Sequence, residues 1–343
     1  MPDAARSALD DAVRAVPAEQ FHGADGRAVR PCTPAEVTHR HLGLLDIRPG
    51  DAVLDIGVGS GLSAALAARL AGPEGRVTAV EIDAGLAARA RALYAAHGHR
   101  VEVVVGDGLH GHTGRAPYDR ILAGVTPPAV PDAWLRQLRP GGLLLCGVRV
   151  CDLPGGYAIA RIRTGERNRP RQVTVHQGGY MPAAGPVADE RVTRARARAG
   201  EPGPPGPPER SLTLLGAHEP GLAEAFLAAL TDAAHIDPAP LHGSDWFHLK
   251  DWLMAAEPPW LLEATLERGN GIGVGHRTPD GTAHAALVTG FHLIADRGDS
   301  PALADLDGLI RRWRESGSPR THQLRAELRQ EGDRWHARIG TTA

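Results

Sequence analysis

Between residues 52 and 148 the chain alternates short apolar runs with stretches of helical periodicity. Residues 52–56 (AVLDI) are apolar but for one acid, as in a strand buried on both faces. Residues 60–71 then place apolar side chains at helical spacing and stop at Gly72-Pro73. The same reading predicts strands at 76–83, 101–105, 118–125 and 143–148, with helices at 84–97 and around 131–138. Strand and helix in short alternation mean a parallel sheet covered on both faces, a doubly wound α/β fold. Two further runs of rough apolar-polar alternation, 157–164 and 172–177, would bring the sheet to seven strands.

The pattern breaks at about residue 181. Residues 181–210 carry repeated Pro and Gly, including PGPPGPP at 202–208, and the series Arg191, Arg194, Arg196 and Arg198. Such a composition buries too little apolar surface to fold alone and predicts a linker. From 211 to 343 periodicity returns, with helices expected at 221–234, 245–256 and 302–315. Strands are expected at 271–277, 284–289, 291–296, 324–329 and 335–339. This reads as a smaller α+β domain. It holds five of the six tryptophans: Trp246, Trp252, Trp260, Trp313 and Trp335. Core burial is the ordinary role for them, and lining a groove for a peptide the sharper one.

The candidate chemistry sits where the first strand ends. Gly57, Gly59 and Gly61 follow Asp55 in the order D-x-G-x-G-x-G, a turn that brings bare backbone against a ligand. A dinucleotide fingerprint would need its third glycine at position 62, which is Leu62. Glu81 ends the second strand, where a carboxylate can accept from both hydroxyls of a ribose, and Asp107 ends the third, where it can accept from an adenine amino group. This spacing resembles the first motifs of S-adenosylmethionine (SAM)-dependent methyltransferases, and SAM is the expected cofactor.

From about residue 10 to 150 the chain further resembles the protein-L-isoaspartate O-methyltransferases. VPAEQF at 16–21 is similar to that family's V-P-R-E-x-F loop, and Cys32-Thr33-Pro34 falls where the family has an S-x-P substrate motif. GDGLHG, APYDRILAG, Pro131 and LRPGG follow in order and spacing. Ala18 stands for the family's arginine and Cys32 for its serine, both in substrate-facing elements. The resemblance implies a cofactor site of Asp55, Gly57, Gly59, Ser60, Gly61, Glu81, Ile82, Asp107, Gly108 and Leu109. It implies Cys32 and Thr33 as catalytic candidates, with Val16, Pro17, Phe21 and Pro34 as a substrate-binding lid. Thr33 has a second reading as the N-cap of a helix at 34–45.

Composition narrows the partners. A net charge of −2 supplies no field for nucleic acid or anionic lipid. No apolar run approaches a bilayer span and residues 1–16 read as a charged helix rather than a signal peptide, so a cytoplasmic protein is expected. Cys32, Cys146 and Cys151 have neither disulfide nor zinc spacing, and the pairs His39/His41, His97/His99 and His110/His112 lack a third ligand, so no metal is expected. The arginine series reads as a solvated face, or as a patch for an acidic peptide.

The partner expected is a peptide or protein bearing aspartate or isoaspartate. Methyl transfer to a carboxylate that is ionised at neutral pH (Asp pKa ~3.9) requires no general base, only alignment and exclusion of water. Two substrates fit. Relatives with a long C-terminal extension resemble enzymes that methylate an aspartate of a ribosomally made peptide, whose ester then closes to an aspartimide; the alternative is repair of isoaspartyl protein. A non-catalytic SAM- or peptide-binding role is the third reading.

Overall fold

The computed structural model describes residues 3–27, 29, 32–183, 195–199, 210–216, 219–241 and 243–341. The chain forms two compact units, one of residues 1–148, 158–186 and 327–338, the other of residues 149–157, 187–326 and 339–343.

In the first unit α1 (Asp3–Ala15) and α2 (Ala35–Leu45) precede β1 (Ala52–Ile56), in which every residue is buried. Then come α3 (Leu62–Ala71), β2 (Arg76–Glu81), α4 (Ala84–His97), β3 (Val101–Val105) and β4 (Tyr118–Ala123). The short β5 (Val130–Pro131) and α5 (Asp132–Arg136) lead to β6 (Leu138–Arg149), β7 (Tyr157–Thr164) and β8 (Pro170–His176). Seven strands form one sheet in the order β3-β2-β1-β4-β6-β7-β8. β1 runs parallel to both β2 and β4, β2 to β3, and β4 to β6, while β7 and β8 are antiparallel. This is a SAM-dependent methyltransferase fold. The strand order reverses between β1 and β4, so their carboxyl ends open the crevice where such sheets bind ligands. One face of the sheet packs Val53, Val77 and Leu145 against Leu66, Leu42 and Ala90.

Thr33 is not the N-cap of α2. Pro34 holds that position without a side-chain cap, which leaves the threonine hydroxyl outside the helix terminus.

The second unit is antiparallel. β9 (Ala195–Ala199), β10 (Arg210–Leu214), α6 (Leu222–Thr231), β11 (His235–Pro238), α7 (Asp245–Ala256) and β12 (Leu261–Leu266) come first. β13 (Gly269–Arg277), β14 (Ala283–Thr289), β15 (His292–Ala295) and α8 (Pro301–Glu315) follow. The sheet order is β11-β15-β14-β13-β12-β10-β9. A glycine in β13 serves packing: a Cβ on Gly275 would lie 2.3 Å from the Phe226 ring, so its absence lets α6 settle on the strand. α6 and the sheet close a core around Phe226, Leu227, Leu262, Leu287 and Ile294.

The expectation of a linker over 181–210 fails at Ala195–Ala199, which pairs along β10. The sequence there, ARARA, alternates with the period of a strand, a signal masked by the arginines and the nearby prolines. The PGPPGPP run, Arg191 and Arg194 lie outside the described residues. The expected closing pair is β16 (Arg325–Glu331) and β17 (Arg334–Gly340), but β17 pairs with β5 rather than completing the second unit. Trp335 Nε1 donates to Asp132 Oδ1 at 2.8 Å, so this tryptophan anchors a strand of the first unit. Trp252 and Trp313 are buried, in their ordinary core role.

Candidate active site

β1 ends in a tight turn because three consecutive odd positions are glycine. Gly57, Gly59 and Gly61 have φ of 85°, 53° and 99°, the left-handed region. At Gly57 a Cβ would stand 3.4 Å from Val125 Cγ1, and the bare backbone instead faces the crevice. The turn is braced from behind: the Tyr94 hydroxyl donates to the Gly61 carbonyl at 2.9 Å, and Arg89 donates to the carbonyls of Ser60, Phe21 and His22.

Two acids meet at this turn. Glu81 is buried at the end of β2, its Oε2 accepting from Gly59 N at 3.1 Å and its Oε1 from Asp83 N at 3.0 Å. The carboxylate is thus fixed in direction, with lone pairs left for two hydroxyls. Asp55 is fully buried and accepts from Ser63 Oγ at 2.6 Å. Burial pushes its carboxyl up to about 7, against the Ser63 hydrogen bond and with the Glu81 charge adding to the rise. At the end of β3, Asp107 accepts from Leu109 N at 2.9 Å, and Ile82 is exposed on the rim.

These groups line a cavity of about 510 Å³ that lies within the first unit. It gathers Asp55, Gly57, Gly59, Ser60, Glu81, Ile82, Asp107, Gly108 and Leu109 on one side. Cys32, Thr33 and Pro34 are on the other, so the predicted cofactor and catalytic residues share one space. Four predicted residues do not. Val16 and Phe21 are buried in the core, the Phe21 ring stacked on His99 and tilted against Tyr94, and so support the turn rather than a lid. Pro17 is exposed away from the cavity, and Gly61 faces Phe21, whose ring a Cβ would meet at 3.2 Å. A V-P-x-E-x-F loop reads as lid because it is local; that Phe21 packs against α4 is a tertiary fact.

The end of the cavity that holds Cys32 and Thr33 has a wall that the sequence did not announce. Residues 178–183 line it opposite α2. Thr126 holds this segment, its Oγ1 donating to the Tyr180 carbonyl and its N–H to that of Met181, both at 2.8 Å. The Tyr180 hydroxyl stands 2.6 Å from His41 Nδ1. Burial lowers the His41 imidazole to about 4, helped by Arg40 and His176, and pushes the Tyr180 phenol far up. At neutral pH, therefore, Tyr180 keeps its proton, His41 is neutral, and the hydrogen bond between them bridges the two walls. The Gly178-Gly179 pair beside Tyr180 was the available sequence signal. Among the described residues no three His, Cys, Asp or Glu side chains gather as metal ligands, and no helix is long and apolar enough to cross a membrane.

Comparison with known proteins agrees with this class of fold. Residues 31–175 match the family model of the protein-L-isoaspartate(D-aspartate) O-methyltransferases. A protein-L-isoaspartate O-methyltransferase of Ignicoccus hospitalis is 40% identical over 128 residues, 34% of this chain and 61% of its own. One from Methanopyrus kandleri is 42% identical over 130 residues, 37% and 58% of the two chains. The chain thus spans about three fifths of these relatives' length. A solved structure titled protein-L-isoaspartate O-methyltransferase aligns over 96% of this chain and 94% of its own, with 16% identity and a TM-score of 0.48.

Proposed function

We propose that this protein is a SAM-dependent carboxyl O-methyltransferase acting on aspartate-derived carboxylates in polypeptides. The observation that carries the reading is one cavity in which a glycine turn and Glu81 meet Cys32 and Thr33. The residues present fit the cofactor: Gly57 and Gly59 line the cavity with bare backbone, and Glu81 presents two oriented oxygens to a ribose. Asp107 with Gly108 and Leu109 would hold the adenine, and Ile82 would cover its face. When bound, SAM supplies a methyl group on a cationic sulfur, open to in-line displacement.

The chain's own residues then align the acceptor. A carboxylate oxygen forms the new O–CH₃ bond while the C–S bond breaks with its electron pair, so no proton moves and no base is required. Thr33 is positioned to donate to the second carboxylate oxygen and turn the first toward the methyl group. Pro34, Val37 and Tyr180 exclude water from that end. Few donors near the attacking oxygen keep it nucleophilic.

Isoaspartyl protein, named in the titles of the relatives, is one substrate that this site suits. The second is an ordinary aspartate of a ribosomally made peptide, whose methyl ester closes to an aspartimide when the next backbone nitrogen displaces methanol. Ala18 and Cys32, standing where the family resembled has arginine and serine, favour it, and the second unit would then serve peptide recognition. Methyl incorporation into an isoaspartyl peptide, its aspartyl twin and a candidate precursor peptide, read by mass spectrometry, separates the two. Transfer to the generic isoaspartyl peptide supports repair. Transfer to the precursor alone, followed by a net loss of water, supports aspartimide formation, and no transfer to any of the three removes the carboxyl methyltransferase reading.

A further inference from the structure

A second concavity of about 630 Å³ opens on the first unit, between α1, α2 and the outer strands β7 and β8. Three guanidinium groups line it: Arg6 from α1, Arg40 from α2 and Arg161 from β7. Arg40 reaches only the Gln177 carbonyl, at 3.3 Å, and Arg161 donates through Nε to the Leu44 carbonyl at 2.7 Å. None of the three has an ion-pair partner among the described residues, whereas Arg48, Arg120, Arg136 and Arg139 each pair with an aspartate. Two acids also line the groove: Asp46, which is engaged by Arg48 and acts on Arg161 as well, and Asp10, which makes no ion pair among the described residues. His39 and His176 add imidazoles, the His39 ring held below its ordinary value by burial and so neutral at pH 7.

Three guanidinium groups against two carboxylates, one of them already engaged by Arg48, leave the groove with an excess of positive charge. They are a good arrangement for an anionic guest, since guanidinium matches a carboxylate in a two-point geometry. The groove also has a fixed relation to the active site: Arg40 lines both it and the cavity of Cys32 and Thr33. A chain whose acceptor carboxylate enters that cavity has the groove within reach over the next few residues.

We infer that the groove bounded by Arg6, Arg40 and Arg161 is a flanking subsite that takes an acidic side chain, Asp or Glu, of the same polypeptide whose carboxylate is methylated. This rests on the proposed carboxyl methyltransferase reading and narrows its substrate class. The polypeptide's own acid is the occupant, held by charge complementarity, and a free anion competes for the same place.

Two fluorescent peptides with one acceptor residue, differing only in flanking Glu or Gln, test it on the full chain by anisotropy and by methyl incorporation. Binding of the Glu peptide is expected to be about threefold to fivefold tighter, the advantage shrinking in high salt. Inorganic phosphate should weaken the Glu peptide and leave the Gln peptide unchanged. In Arg6→Gln/Arg161→Gln, which leaves the lining of the active-site cavity intact, the preference should vanish while SAM affinity, read by calorimetry, stays as in wild type. In turnover the preference belongs in KM and not in kcat. Equal affinities for the two peptides, or a preference that survives in the double variant, overturns the inference. Because anisotropy needs no methyl transfer, absent turnover with a Glu preference intact would defeat the transferase reading alone.

Discussion

The two ends of the active-site cavity are built in different ways. The cofactor end is mostly backbone: Gly57 and Gly59 at positive φ, with Glu81 tied to the amides of Gly59 and Asp83 and Asp107 to that of Leu109. The acceptor end is made of side chains brought by two remote segments, and its bridge, His41 to Tyr180, joins residues 139 positions apart. A cofactor end built from backbone at positive φ tolerates little change. An acceptor end set by tertiary closure can exchange Cys32 or Thr33 for other side chains without disturbing the turn, so substrate preference is free to diverge while the cofactor is kept.

The largest effect that would sharpen this contrast is at Glu81. Glu81→Ala strips Gly59 N and Asp83 N of their acceptor and removes the two oxygens proposed to hold the ribose. SAM affinity should fall about 100-fold, the loss of about 3 kcal/mol expected when charged hydrogen bonds are removed from a buried site. Unchanged affinity by calorimetry would mean that the ribose does not sit here. Gly57→Ala comes next: a side chain at φ 85° costs about 1–2 kcal/mol, and its Cβ projects at Val125, so cofactor affinity should drop about tenfold. At the acceptor end, Thr33→Val combined with Cys32→Ala should lower kcat about tenfold and leave SAM affinity as it was. A loss of cofactor binding in that variant would erase the division between the two ends.

What the sequence revealed follows the same division. β1 to β4 and the glycine turn were legible because each is a run of neighbours with its own period and its own stop signal. Glu81 and Asp107 were legible because a strand end fixes where a side chain goes. Tyr180, His41 and Thr126 were not, since nothing local marks a tyrosine that will meet a histidine from α2. The bracing of the turn by Arg89 and Tyr94 was hidden in α4, an alanine-rich helix without a marked apolar stripe. In the second unit α7 and β13 to β15 were readable, but β9 to β12 were not. β10 (RSLTL) and β12 (LLEATL) are short and abut proline-rich stretches, and β11 (HIDP) carries a single apolar side chain before its proline.

The smallest effect expected is a dependence on pH, and it belongs to the cofactor end alone. In the cofactor-free protein burial holds the Asp55 carboxyl at about 7, far above its ordinary value of 3.8. Between those values the folded chain keeps a proton that the unfolded chain has lost, so this group's contribution makes stability fall as pH rises across that window. A cationic cofactor beside Asp55 favours the ionised carboxylate, so SAM affinity should move the other way. It should rise through pH 7 with a slope of at most about tenfold per pH unit on the acid side. His41, held at about 4, is neutral around pH 7 and adds no slope there from the other end of the cavity. Asp55→Asn should flatten the affinity profile and also remove the opposing trend in melting temperature. If affinity in that variant still climbed through pH 7, the titrating group would lie elsewhere and Asp55 would already be ionised in the free protein.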